Sequence, residues 1–171
     1  SAYFSGMERR CRINSFPPKA SFSRPGAGLL LFLLLPFALF SQAADSLARL
    51  LKTAPPDTHR VILLTDLAWE INETETDAAA ARLDEAIRLA QQLRFVPGEA
   101  TAWNGLGVVE EIRGNWAKAI EHYQKALQLR EQIGEPRLVA ASLNNLGVAY
   151  ENLGEYDNAL AYHRRNLDIV R

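Results

Sequence analysis

The residues best suited to chemistry in this 171-residue chain are three histidines (His59, His122 and His163), the amides Asn104, Asn144 and Asn145, and the carboxylates Glu110, Glu111 and Glu151. Their spacing decides what they can do. A protein zinc site needs three or four ligands brought to one point. His122 and His163 lie 41 residues apart with no third ligand at a fitting interval, so no metal is expected. Glu110 and Glu111 are neighbours, and adjacent side chains diverge on a helix, so they cannot share a proton as a catalytic dyad. The chain has no G-x-S-x-G, no G-x-x-x-x-G-K-[ST] and no H-E-x-x-H. Its only cysteine is Cys11, which leaves no cysteine pair. No catalytic residue, metal or cofactor is expected within these residues. The amides offer a different use. Each Asn side chain carries both a donor and an acceptor. A row of them can hold a peptide backbone without reading its side chains, or can tie adjacent helices together.

Residues 1–43 differ in composition from the rest. Arg9, Arg10, Arg12, Lys19 and Arg24 precede the uncharged run GLLLFLLLPFALF, Gly28 to Phe40. That run is too short for a spanning helix, which needs about 20 residues, and Pro36 interrupts it. Small residues at Ser41 and Ala43 then fit a signal-peptidase site, so residues 1–43 read as a signal peptide cleaved after Ala43. The alternative is an uncleaved anchor. Residues 1–6 precede Met7 and read as lying upstream of the true start, and the helical pattern reaching Arg171 reads as a fragment that continues. Removal of residues 1–43 takes away five Lys or Arg and Glu8. The remaining 14 cations and 19 carboxylates give a net charge of −5. An acidic domain without a basic cluster is not a nucleic-acid binder, because neutralising phosphates needs several cations on one face. Arg164 and Arg165 are an isolated pair.

The elements that must position the amides are helices. Asp45 or Ser46 would cap a short helix over 44–56, stopped by Ala54–Pro56. Asp57 caps the next, to about Asn72, and Thr76 a third, to about Leu93. Pro97 opens a fourth, which Gly114 stops. Asn115 caps a fifth, Gly134 stops it, Pro136 opens a sixth, and Gly154 ends that before a seventh. Trp116, Ala119, Ile120, Tyr123, Ala126 and Leu127 recur at intervals of three and four, as do Leu143, Leu146, Gly147 and Tyr150. No segment shows strand-like alternation. The chain is therefore expected to be all-α, with short turns that force antiparallel pairing.

The pairs repeat. Leu106-Gly107 corresponds to Leu146-Gly147, Gly114 to Gly154, Trp116 to Tyr156, Ala119 to Ala159 and Leu127 to Leu167, each 40 residues on. One register earlier stand Leu67-Ala68, Ala79 and Ala86-Ile87. This defines three helix pairs over 57–93, 97–133 and 136–171, an array over 57–171. In each repeat the small residue is expected to let the two helices approach (Gly107 near Ala119, Gly147 near Ala159). Trp116 and Tyr156 are expected to fill space against the following pair.

The succession Leu-Gly, Gly, aromatic, Ala, aromatic, Ala in Ala102–Leu129 resembles the tetratricopeptide repeat (TPR), and Ser142–Ile169 follows it with His163 and Asn166 in place of the last aromatic and Ala. The 40-residue period is similar to the long-repeat branch that includes kinesin light chains. The resemblance implies a right-handed superhelical α-solenoid whose first helices line an inner groove that holds a protein or peptide. Thr101, Asn104, Val108 and Glu111 would face it, with Ala141, Asn144, Val148 and Glu151 as counterparts. Asn144 and Asn145 match the Asn word of the long-repeat type, though Gly105 replaces the counterpart of Asn145. The groove site is thus expected at Thr101, Asn104, Glu111, Asn144, Asn145 and Glu151. Basic groove residues of the carboxylate-clamp kind are missing at these positions. A leader, a short helix, DTHRVILLTDLAWE and long repeats together are similar to the exported N-terminal region of bacterial sensor proteins. There a TPR array precedes a membrane span and a histidine kinase, cyclase or DNA-binding domain. That implies a periplasmic or extracytoplasmic sensory module, tethered to a membrane by a downstream segment. A self-contained periplasmic scaffold for envelope assembly is the alternative.

Overall fold

The apolar intervals of three and four become helices throughout the computed structural model, which describes residues 42–170. Seven helices lie among the described residues: α1 over 42–53, α2 (Thr58–Ile71), α3 (Thr76–Leu93), α4 (Val96–Ile112), α5 (Trp116–Ile133), α6 (Pro136–Leu153) and α7 (Tyr156–Val170). Turns of two to four residues separate them, so successive helices run antiparallel. No described residue is in a strand, and no described helix is long and apolar enough to cross a membrane. The basic segment, the apolar run and Cys11, on which the signal-peptide reading rests, lie outside the described residues. The expected cleavage point, between Ala43 and Ala44, falls inside α1.

Helices α2/α3, α4/α5 and α6/α7 pack as pairs. α3 against α4 and α5 against α6 join one pair to the next. One buried cluster gathers Val61, Leu64, Ala68, Leu83, Ala102 and Val109 among others. A second gathers Ala119, Tyr123, Leu127, Leu143 and Leu146. No single pair can bury both of its faces, so each cluster draws residues from more than one pair. α1 is fastened by Arg60. Its Nη1 donates to the carbonyls of Leu51 (2.9 Å) and Ala54 (3.1 Å), while Nη2 pairs with Glu85 of α3 at 2.8 Å.

Three of the expected caps differ. Asp45 and Ser46 do not start a helix, because α1 already covers 42–53. Thr76 lies within α3 and donates its hydroxyl back to the carbonyl of Asn72 at 3.0 Å. Asn115 stands at the N-cap of α5, but its amide donates instead to Glu110 Oε2 at 2.8 Å. Asp57 caps as expected, accepting from the amide of Arg60 at 3.0 Å.

Gly134 and Gly154 close α5 and α6 with φ of 75° and 84°. The corresponding residue after α3 is Arg94, left-handed at φ 53° and exposed. A side chain there is strained by about 1–2 kcal/mol. We expect Arg94→Gly to raise the stability by about 1 kcal/mol in urea titrations, and an unchanged midpoint would show that the turn relaxes.

The small residues serve a different neighbour from the one expected. A Cβ on Gly107 would lie 2.3 Å from the Tyr123 ring, and one on Gly147 2.3 Å from the His163 ring. The close approach is helix backbone against ring, one turn beyond Ala119 and Ala159. The outer positions of α7 also depart from expectation. Ile120 and Leu127 are 6% and 7% exposed under α6, whereas Leu160 and Leu167 are each 48% exposed. Trp116 packs on the second cluster, whereas Tyr156 is 71% exposed, with no described helix over α7.

Candidate functional site

The first helix of each pair (α2, α4, α6) forms one layer and the second (α3, α5, α7) another. α2 and α4 approach each other directly, and no two helices of the second layer do so to the same extent. The first two pairs therefore curve with α2 and α4 on the inner side, and α6 continues that layer. The six residues expected to form the groove all sit on α4 and α6, but they divide into two groups.

Asn104 and Asn145 hold the layer together. Asn104 is 8% exposed, and its Oδ1 accepts from Asn145 Nδ2 at 3.0 Å and from Arg130 Nη1 at 3.4 Å. Arg130, 5% exposed on α5, also donates to Ser142 Oγ at 2.8 Å and to the carbonyl of Leu138 at 3.4 Å. The partners of Nη1 come from both α4 and α6, so Arg130 links the two inner helices through α5. Of the two uses expected for Asn, these bonds are of the helix-tying kind. Arg130 was missed in the sequence. The available signal was a cation continuing the apolar stripe Tyr123, Leu127.

Thr101 donates to the carbonyl of Pro97 on its own helix at 2.9 Å. Asn144 is half-buried on α6. Glu111 and Glu151 take part in a device written twice. Tyr123 Oη donates to Glu111 Oε2 at 2.7 Å, and one repeat later His163 Nε2 stands 3.3 Å from Glu151 Oε1. In both repeats the ring lies over the glycine of the inner helix and reaches the carboxylate one turn further on. Burial first, then the charge and hydrogen bond of Glu111, push the Tyr123 phenol far above its ordinary pKa, so it stays a donor. Removing that donor leaves a half-buried carboxylate short of a partner. Tyr123→Phe is expected to cost about 1–2 kcal/mol, measured by chemical denaturation, with no change in helix content.

Glu110 faces away from Glu111, as the adjacent-residue argument requires. It is buried near the turn, accepting from Asn115 and Arg113, while Arg113 also pairs with Asp77 of α3. Burial would raise its pKa. The hydrogen bonds from Asn115 and Arg113, with the charges of Arg113 and Lys118, outweigh that and hold it below the usual value. His122 and His163 do not share a site. His122 stacks on Trp103, ring centroids 5.4 Å apart, and burial lowers its pKa against the opposing pull of Glu110, Glu121 and Asp84. A depressed histidine favours the folded state while neutral. Its contribution is therefore complete above the ordinary value of 6.5 and declines as the pH falls below it. Thermal melts should show stability falling below pH 6.5, and His122→Phe should flatten that part of the profile. No group of three or more His, Cys, Asp or Glu is placed for a metal among the described residues.

The helix pairs agree with comparison to known proteins. The tetratricopeptide-repeat family model matches residues 98–171. These residues are similar to tetratricopeptide repeats. The TPR match covers α4 to α7, and α2/α3 repeats the same arrangement one register earlier. BtubC (BKLC) from P. vanneervenii superposes with a TM-score of 0.72 at 22% identity, over 82% of this chain and 60% of that one. The TPR domain of Arabidopsis FLU gives 0.62 at 20% identity, covering 68% of this chain and 98% of that one. MamA gives 0.60 at 28% identity, over 80% and 71% of the two chains. The match spans only part of BtubC. No curated protein sequence matches the chain. TPR folds are interaction scaffolds, and nothing in the described residues shows catalytic activity.

Proposed function

We propose that the inner face of α2, α4 and α6 holds a segment of a partner protein, and that the module works outside the cytoplasm as the sensory front of a larger signalling protein. One observation carries the binding reading. With Asn104 buried and Asn145 bonded to it, a row of half-buried apolar side chains still crosses the inner layer: Trp69, Val108 and Val148, one per helix at the same repeat position. Asn144 borders that row, one turn earlier on α6. Support for export comes from the sequence alone, in the basic, apolar and small-residue order of residues 1–43.

A photo-crosslinking residue at Val148 should trap a partner in cells, whereas one at Arg88 on the outer layer should not. Equal trapping at both would remove the inner face as the site. Export predicts a mature N-terminus at Ala44, and sequencing of the purified protein that finds Met7 retained would remove it. The sensory assignment requires a membrane span and an output domain downstream in the reading frame.

A further inference from the structure

Lysine and arginine are distributed unevenly between the two layers. The inner helices carry two, Arg60 and Arg137, each more than two turns before the row position on its helix, while the outer helices α3, α5 and α7 carry seven. Of those seven, Arg130 reaches toward the inner layer. It is 5% exposed and its Nη1 donates to Asn104, Ser142 and Leu138, so it adds little positive charge to the surface. Carboxylates do occur on the inner face, at Asp66, Glu111 and Glu151. They flank the row Trp69, Val108, Val148, with Asp66 one turn before it and Glu111 and Glu151 one turn after. Tyr123 and His163 approach the latter two from behind, which holds the carboxylates in place.

We infer that the occupant of this face is an extended peptide segment that carries apolar side chains with Lys or Arg between them. The inference rests on the binding reading above and names the class of partner. Charge sets the cations, because the layer offers carboxylates and withholds competing positive groups. The row sets the apolar side chains, one for each of Trp69, Val108 and Val148.

The test uses three synthetic nonapeptides with blocked ends: Leu-Pro-Lys three times, Leu-Pro-Glu three times, and Gly-Pro-Lys three times. Binding is followed by tryptophan fluorescence and calorimetry. The Leu/Lys peptide should bind with Kd below about 1 mM and weaken about tenfold between 0.05 and 0.5 M salt. The Leu/Glu peptide should bind at least tenfold more weakly, and loss of the leucines should abolish binding. Glu111→Gln with Glu151→Gln keeps an oxygen acceptor for each ring and should weaken the Leu/Lys peptide about fivefold without changing the melt. Glu121→Gln with Asp168→Asn, on the outer layer, should leave it unchanged. Equal loss in the two double variants would mean attraction to overall charge only, and would overturn the inference. So would equal binding of the Leu/Glu peptide or no binding of the Leu/Lys one. Failure here leaves the crosslinking result at Val148 standing, so the two readings fall separately.

Discussion

Gly107→Ala is expected to lower the unfolding free energy by about 3 kcal/mol, and Gly147→Ala by about 1 kcal/mol. Both added methyls would start 2.3 Å from a ring carbon, so contact distance alone does not separate them. The freedom of the ring does. Tyr123 is 1% exposed, lies in the second buried cluster and is held at its far end by Glu111. It cannot swing away, and the backbone of α4 must move instead. Overpacking of this kind costs about 1–3 kcal/mol, and a pinned aromatic puts it at the upper end. The His163 side chain is 33% exposed on α7, which nothing described covers, so its imidazole can rotate outward. Gly147→Leu exceeds what that rotation can absorb and should cost several kcal/mol. Urea denaturation of the three variants checks the order. Equal losses for the two alanine variants would show that ring mobility does not set the cost.

Asn104→Ala is expected to destabilise by about 3 kcal/mol, while Asn144→Ala changes stability by less than about 0.5 kcal/mol. Truncating Asn104 removes the acceptor of Asn145 Nδ2 and one acceptor of a nearly buried guanidinium. Each buried donor left unmatched costs about 1–3 kcal/mol, more when charged. Asn144 is half-buried at the edge of the apolar row, where water can replace what truncation removes. The two variants separate structure from recognition. Asn104→Ala should lose peptide affinity only through loss of fold, whereas Asn144→Ala should keep its melting temperature and bind about three- to tenfold more weakly, as for one hydrogen bond. Comparable stability losses in both would place Asn144 in the interior network too.

The repeat, the all-helical class and most helix ends were legible because they rest on local chemistry. Gly134 and Gly154 permit a left-handed residue that few others accept, Pro97 and Pro136 fit a first helical turn, and apolar intervals of three and four define one stripe per helix. The ends that were misplaced failed for a local reason also. Thr76 and Asn115 can cap, but each found a better partner across a turn, in Asn72 and Glu110.

What the sequence by itself determined is the repeated unit: which positions are small, which are aromatic, and that three copies of a helix pair must stack. What only the tertiary structure decided is the use of each polar residue on that unit. Asn104 and Asn144 occupy the same place in successive repeats, and no local rule distinguishes them. They differ in what arrives from elsewhere. Arg130 and Asn145 converge on Asn104, while the position matching Arg130 one repeat later is Val170, which has no side-chain donor. An amide becomes structural when neighbouring helices bring it partners and shut out water, and that depends on residues dozens of positions away.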